Sequence, residues 1–341
     1  MADDSPSDFE KTYWGTIHGP SGSREGRVTV SDGHITGIAY GGSPDRSDIE
    51  AEMLTGIVNG HTHCADYGLS IPAGMSLEEL VAPPNGLKHR YLRESPDDVL
   101  IDSMTRFSGS SRSFGTATFV DFREGGVHGC RLLRQAEPDS IILGRPISSE
   151  FDPGEIDEIL SVADGIGLSS ISDMPARYID DIADEVRSRN GILAIHVSER
   201  IREDIDVVLS LDPAFIVHMC EATDDDMLKC AEAEVPVVVC PTSNMYFGKV
   251  PPIARMQDCG VDLALGTDNG MLCQPDMVAE LRLMSSIASS QGGDAGSCWK
   301  SATVLSSKLL NGNARMGVLG KVAPMVICPR HGGGSIVVNH M

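Results

Sequence analysis

IVNGHTH, residues 57–63, is the stretch on which the reading of this chain turns. Ile57 and Val58 open a short apolar run with the character of a buried strand, and the run ends on His61-Thr62-His63. Residues i and i+2 of a strand point to the same side, so both imidazoles leave the strand end together. Seven similar runs follow: 116–122, 141–147, 165–170, 192–199, 214–220, 235–244 and 261–269. From the second run onward their starts lie 21 to 27 residues apart, room for one helix and two loops per strand. Helical stripes fit between them, as in 179–189, where Ile179, Ile182, Ala183 and Val186 recur at i, i+3, i+4 and i+7. Two further helices are expected over 277–287 and 302–310. Eight such units predict an α/β protein built on a (β/α)8 TIM-like barrel over residues 56–317. The gap 64–115 is too long for one helix and follows the C-terminal end of the first strand, where barrels hold their active sites; it is expected to form a lid.

Outside the barrel the pattern changes. The run 27–38 reads as a hairpin turning at Asp32-Gly33. The tail is again β-like and rich in glycine. Residues 1–55 and 318–341 are therefore expected to form a small β-sandwich domain together.

Composition narrows the function. The 341 residues carry 49 Asp and Glu against 27 Lys and Arg, a formal charge of −22. A surface of that sign repels phosphate backbones, so nucleic-acid partners are not expected. No apolar run approaches the roughly 20 residues of a membrane helix. The first residues lack the basic and apolar regions of a signal peptide, and a cytoplasmic location is expected. With 30 Asp and only 7 Lys, the composition suits a halophilic setting, where salt screens self-repulsion. The nine cysteines form no C-x-x-C pair and read as reduced thiols.

The chemistry lies in the histidines. His61 and His63 end the first predicted strand, His196 lies near the end of the fifth, His218 near the end of the sixth, and Asp268 near the end of the eighth. Strand ends of one barrel converge on one axial site. Imidazoles with a carboxylate suit a divalent ion, Zn²⁺ as the first expectation and Fe²⁺ as the second. An H-x-H pair alone is common; all of these groups at the matching strand ends form a joint pattern.

With these residues in view, the sequence resembles the amidohydrolase superfamily, in the branch of cytosine, adenosine and guanine deaminases and chlorohydrolases. The matching motifs are GIVNGHTH (56–63), HVSE (196–199), the histidine of IVHM (216–219), PTSN (241–244) and GTDN (266–269), with weaker likeness in DMVAELR (276–282) and in 302–320. The resemblance implies His61, His63, His196 and Asp268 as metal ligands, His218 as a group polarising the attacking water, and Glu199 as the proton shuttle. Binuclear relatives use a carboxylated lysine at the end of the fourth strand; here that strand ends Leu168-Ser169-Ser170, which implies one metal ion. A homodimer is the family-level expectation. The chain is shorter than many relatives, and Ala323-Pro324 stands where an Ala-Asp often precedes their final strand.

These readings give a hydrolase that deaminates an aminated nitrogen heterocycle through an activated water. A cyclic amide hydrolase or a dechlorinase on the same site is the alternative, and a non-catalytic scaffold holding a metal is a third reading. Arg123, Arg145 and Asn244 are candidate contacts for the small-molecule substrate, since each follows a predicted strand toward the mouth.

Overall fold

Strand alternation and glycine turns build the first region of the computed structural model, which describes residues 10–81, 85–309, 323–331 and 334–340. β1 (Lys11–Gly19), β2 (Gly22–Ser31), β3 (His34–Tyr40) and β4 (Ile49–Thr55) are joined by β14 (Met325–Pro329) and β15 (Ile336–His340) from the far end of the chain. The expected hairpin is present: Asp32 (φ 51°) and Gly33 (φ 75°) both take the left-handed conformation that a two-residue turn of this twist requires. The expected sandwich is not. The six strands close in the order β1-β2-β3-β15-β14-β4, with β4 parallel to β1, into one small barrel. Tyr13, Ile17, Val28, Met53, Ile327 and Val338 share its core. Alternating strands look the same in sequence whether two sheets stack or one sheet closes; the β1–β4 pairing decides it.

The larger region is an all-parallel sheet. Its strands are β5 (Ile57–His63), β6 (Thr116–Arg123), β7 (Ile141–Gly144), β8 (Gly165–Leu168), β9 (Ile192–Val197), β10 (Phe215–His218), β11 (Val237–Val239), β12 (Leu263–Leu265) and β13 (Asp268–Asn269). The order is β12-β11-β10-β9-β8-β7-β6-β5-β13. β12 and β13 are separated by two residues yet bond opposite edges of the sheet, so the sheet curls in TIM-like fashion. Both faces are apolar, as parallel sheets require. Val120, Phe122, Phe215, Val217 and Val238 pack inside, while Ile216, Val237 and Val239 pack outward on the helices. Each such buried side chain contributes roughly 1.5–3 kcal/mol.

The helices between strands are amphipathic. Ala176–Ser188 buries Ile179, Ile182, Ala183 and Val186, the stripe seen in the sequence. Met277–Ser290 matches its expected position, with Asp276 capping the N-terminus. The run at 235–244 is strand only over Val237–Val239. Pro241 then opens a short helix, Pro241–Tyr246, because its fixed φ suits a first helical turn. Residues 64–115 hold a 3₁₀ turn (Cys64–Gly68) and the helices Leu77–Val81, Leu87–Glu94 and Asp97–Ser113. Of the expected helix at 302–310, Val304–Lys308 is α-helical. The expected domain junction at 317/318 lies outside the described residues. Among the described residues, no helix is long and apolar enough to cross a membrane.

Candidate active site

Five side chains meet at the C-terminal ends of the parallel strands. The pairing of β5 with β6 slips between Asn59 and Thr62. A slip of one residue exchanges the faces of a strand, so Val58 lies in the interior cluster and His61 and His63 also face the axis. Their rings lie 4.9 Å apart, and His61 lies 4.8 Å from His196. The Nε2 atoms of His61 and His196 are 3.2 Å apart. Asp268 Oδ1 stands 3.3 Å from His61 Nε2 and 3.5 Å from His63 Nε2. Gly266 makes this approach possible: a Cβ there would lie 2.8–2.9 Å from the backbone nitrogen, Cβ and oxygen of His61.

Proton positions follow from the outer partners. His196 Nδ1 faces Leu168 O at 2.8 Å, and His63 Nδ1 faces Phe122 O at 3.1 Å and Glu124 Oε1 at 2.9 Å. Each Nδ1 therefore carries the hydrogen and each Nε2 offers a lone pair to the common centre. Burial lowers His61 to about 4, and burial with neighbouring imidazoles holds His196 well below its ordinary value, so both are neutral. Burial would raise Asp268, but the hydrogen bond from His61 works against it, and the carboxylate lies well below its ordinary value. Ser243 Oγ donates to Asp268 Oδ2 at 2.5 Å. His61, His63 and Asp268 have the donor types and spacing to hold a divalent ion, and so do His61, His196 and His218, with His61 common to both groups; the buried His61 Nδ1 has no hydrogen-bond partner among the described residues.

His218 sits in the same cluster with the opposite proton arrangement. The Asn244 amide nitrogen donates to its Nδ1 at 3.1 Å, which leaves the hydrogen on Nε2. That Nε2 faces Glu199 Oε1 at 3.7 Å, too far for a direct hydrogen bond, so both groups remain available to a ligand. His218 (φ 79°), Ser198 (φ 48°) and Asp268 (φ 61°) all occupy the left-handed region. Strain of roughly 1–3 kcal/mol per residue is thus concentrated at the strand ends. Glu203, which the sequence does not single out, helps hold it. The carboxylate accepts from Ser198 N at 2.9 Å, Ser172 N at 2.9 Å and Ser170 Oγ, fixing the residue before Glu199.

The opposite wall is ionic. Lys88, from helix Leu87–Glu94, is buried with Nζ 2.8 Å from Glu124 Oε1 and 2.9 Å from Asn269 Oδ1. No sequence signal marks it. Burial alone would raise Glu124, yet Lys88, His63 and Arg123 hold it well below its ordinary value. Arg123, expected as a substrate contact, is 2 % exposed, and its guanidinium is taken up by Asp121 at 3.1 Å and by Glu124. It orders carboxylates and does not line the central cavity. Asn244 is likewise a partner of His218, buried in the short helix after β11. Arg145 does line the cavity, whose volume is about 230 Å³ and whose walls include Val81, Lys88, His89, Glu199, His218 and Asp268. The 64–115 segment thus supplies part of the wall. A second cavity of about 340 Å³ shares His89, Glu124 and Arg145 with the first.

No family model matches the chain. An uncharacterised protein of Methanocaldococcus jannaschii is 35% identical over 76% of this chain and 74% of its own length. A Methanothermobacter thermautotrophicus protein named "Putative aminohydrolase" is 35% identical over 74% of this chain and 73% of its own. A 5-methylthioadenosine/S-adenosylhomocysteine deaminase of Haloquadratum walsbyi is 24% identical over 67% and 59%. Among solved structures, an adenosine deaminase from Xanthomonas campestris with bound zinc superposes with a TM-score of 0.68 at 18% identity, covering 95% of this chain and 85% of that one. Atrazine chlorohydrolase from Arthrobacter aurescens, complexed with zinc, gives 0.66 at 16%, over 93% and 87%.

Proposed function

Because the chain belongs to the amidohydrolase superfamily, and is thus a hydrolase of carbon–nitrogen bonds, we propose that it hydrolytically deaminates an aminated nitrogen heterocycle: a nucleobase, a nucleoside or a related compound. One observation carries the reading. Three imidazole rings and a carboxylate converge on one centre, while Glu199 and the Nε2–H of His218 face each other 3.7 Å apart beside Asp268. His61, His63, His196 and Asp268 would hold one divalent ion, zinc before iron. When bound, that ion supplies a water acidified toward neutrality. Asp268, ionised and steadied by Ser243, accepts the proton of the attacking water. Glu199 delivers a proton to the ring nitrogen beside the reacting carbon, and His218 donates a hydrogen bond to the oxygen that attacks it. Return of that proton from Asp268 to the amine lets the carbon–nitrogen bond break and ammonia leave, while the hydroxyl proton of the addition product passes to Glu199 and restores it.

The alternative, hydrolysis of a cyclic amide or a dechlorination, draws on the triazine and atrazine hydrolases among the structural neighbours. Ammonia release across a panel of aminated heterocycles tests the main reading. A new carboxylate or chloride without ammonia selects the alternative. We also read the nine short parallel strands as eight barrel positions, the eighth broken at Gly266-Thr267, with 56–317 as the barrel domain and 1–55 plus 318–341 as the small domain. The strand pairing on both sides of the break supports this. The −22 charge and nine free cysteines support a cytoplasmic enzyme with a small-molecule substrate, without nucleic acid.

A further inference from the structure

Lys88 is a buried ammonium on the wall of the central cavity. An ammonium has three donors. One is committed, to Asn269 Oδ1 at 2.9 Å; Glu124 Oε1, at 2.8 Å, is paired by charge without a hydrogen bond among the described residues, and Asp66 Oδ2, at 3.8 Å, is beyond hydrogen-bond reach. Lys88 is therefore held in place before any ligand arrives, by one hydrogen bond and one ion pair, with donor capacity still unused among the described residues. Its anchors fix its depth: Glu124 contacts His63, and Asn269 follows Asp268 in the chain. A group that meets Lys88 is thus close to the metal-binding centre, where the reacting ring must lie, and not out at the mouth where a sugar or side arm would emerge. Glu199 stands on the other side, next to His218.

Resting on the deaminase reading, we propose that Lys88 is a specificity-determining residue that donates to an exocyclic ring oxygen, so that the substrates are oxo-substituted aminoheterocycles. Glu199 serves the ring nitrogen beside the departing amine, and Lys88 receives the oxygen elsewhere on the same ring. A ring without that oxygen leaves a buried cation facing no acceptor, a penalty paid in binding.

Two substrate pairs isolate the effect, each sharing the reacting amino carbon and differing by one ring oxygen: isoguanine with adenine, and cytosine with 4-aminopyrimidine. With the full-length zinc-loaded protein, ammonia release should favour at least one oxo member by about 10- to 100-fold in kcat/KM, mostly through KM. Lys88→Met should collapse that ratio to within about threefold, and Lys88→Arg should keep part of it. Absolute rates fall in both variants, since Glu124 loses a partner, so the ratio is the quantity read. Should Lys88→Met not fold, Lys88→Met/Glu124→Gln removes both halves of the pair. Binding of the oxo products xanthine and uracil, against hypoxanthine and 4-hydroxypyrimidine, gives a readout that needs no turnover. Equal turnover of both members of each pair, or a ratio unchanged in Lys88→Met, overturns the inference and leaves the deaminase reading standing. No ammonia from any ring, with product binding that still depends on Lys88, overturns the deaminase reading alone. Neither turnover nor binding overturns both.

Discussion

Two buried glutamates, one lining the cavity and one bonded to the helix after β11, are driven in opposite directions. Glu124, beside His63, is surrounded by Lys88, Arg123 and an imidazole and stays ionised far below its ordinary value. Glu280, beside the short helix that carries Ser243 and Asn244, accepts from the Thr242 amide at 3.1 Å, and burial pushes it up to about 7. Burial is common to both; the partners differ. One wall of the site is thus built from compensated charge, and the other from neutral hydrogen bonds to backbone, hydroxyl and amide groups. The ionic wall is held by paired charges, and both sides set proton positions, Glu124 with Phe122 O at His63 and Asn244 at His218.

The largest expected effect belongs to Glu199, the residue proposed to carry the proton. Glu199→Gln should lower kcat by about 10³-fold with bound metal unchanged. Full turnover in that variant would remove its assigned role. Next is Glu124→Gln, which leaves Lys88 and Arg123 facing a group without charge. About 3 kcal/mol of unfolding free energy should be lost, read by denaturant titration. A loss no larger than that of a typical hydrogen bond would erase the contrast between the walls.

The pH dependences should have opposite signs. A carboxyl with a raised folded pKa holds its proton more tightly in the folded state, so between about 4.5 and about 7 Glu280 makes stability fall as pH rises. Glu280→Gln should flatten the melting curve across that window and stabilise the protein near pH 8 by up to about 3 kcal/mol. Glu124, depressed in the folded state, contributes above its ordinary value of 4.5 and loses that contribution as pH falls toward its folded value. Unchanged pH profiles in both variants would refute the opposed roles of uncompensated burial at Glu280 and cationic neighbours at Glu124.

A smaller effect follows from Asn244→Ala, which strips His218 Nδ1 of its donor. About 1–2 kcal/mol of stability and roughly tenfold in kcat should go, with metal affinity retained. Loss of metal binding instead would place His218 among the ligands. The most diffuse effect comes from the surface as a whole. With a net charge of −22, stability should rise from low to multimolar KCl. A salt-indifferent melting curve would remove the halophile reading.

The cluster of imidazoles with Asp268 is largely legible in the sequence and the ionic wall is not. His61, His63, His196, His218 and Asp268 sit at ends of periodic apolar runs, and the strand period alone predicts their convergence. Lys88 comes from a segment without such periodicity, and lysine is among the residue types most often exposed, so nothing local marks it as buried. The strand places Arg123, but its neighbours Asp121 and Glu124 decide where the guanidinium goes. Asn244 follows an apolar run without a break in hydropathy, yet Pro241 has already ended the strand. The small barrel reads as a sandwich in sequence because closure depends on the β1–β4 pairing, a contact between segments that alternate identically either way.

During synthesis, every histidine of the site leaves the ribosome before Asp268 does. Asn59 and Thr267, hydrogen-bonded where β5 meets the last strands, are 208 residues apart in the chain. Until residues 263–269 emerge, the nascent sheet has two bare edges, the kind that recruit stray strands and lead to aggregation. Ring closure and delivery of the carboxylate are then one event. A cation bound across β5, β9 and β13 would act as a clasp on that closure, favouring the finished ring by mass action. If the site takes a divalent ion as proposed, expression in metal-starved cells would show its effect first as insoluble protein and only secondly as idle enzyme.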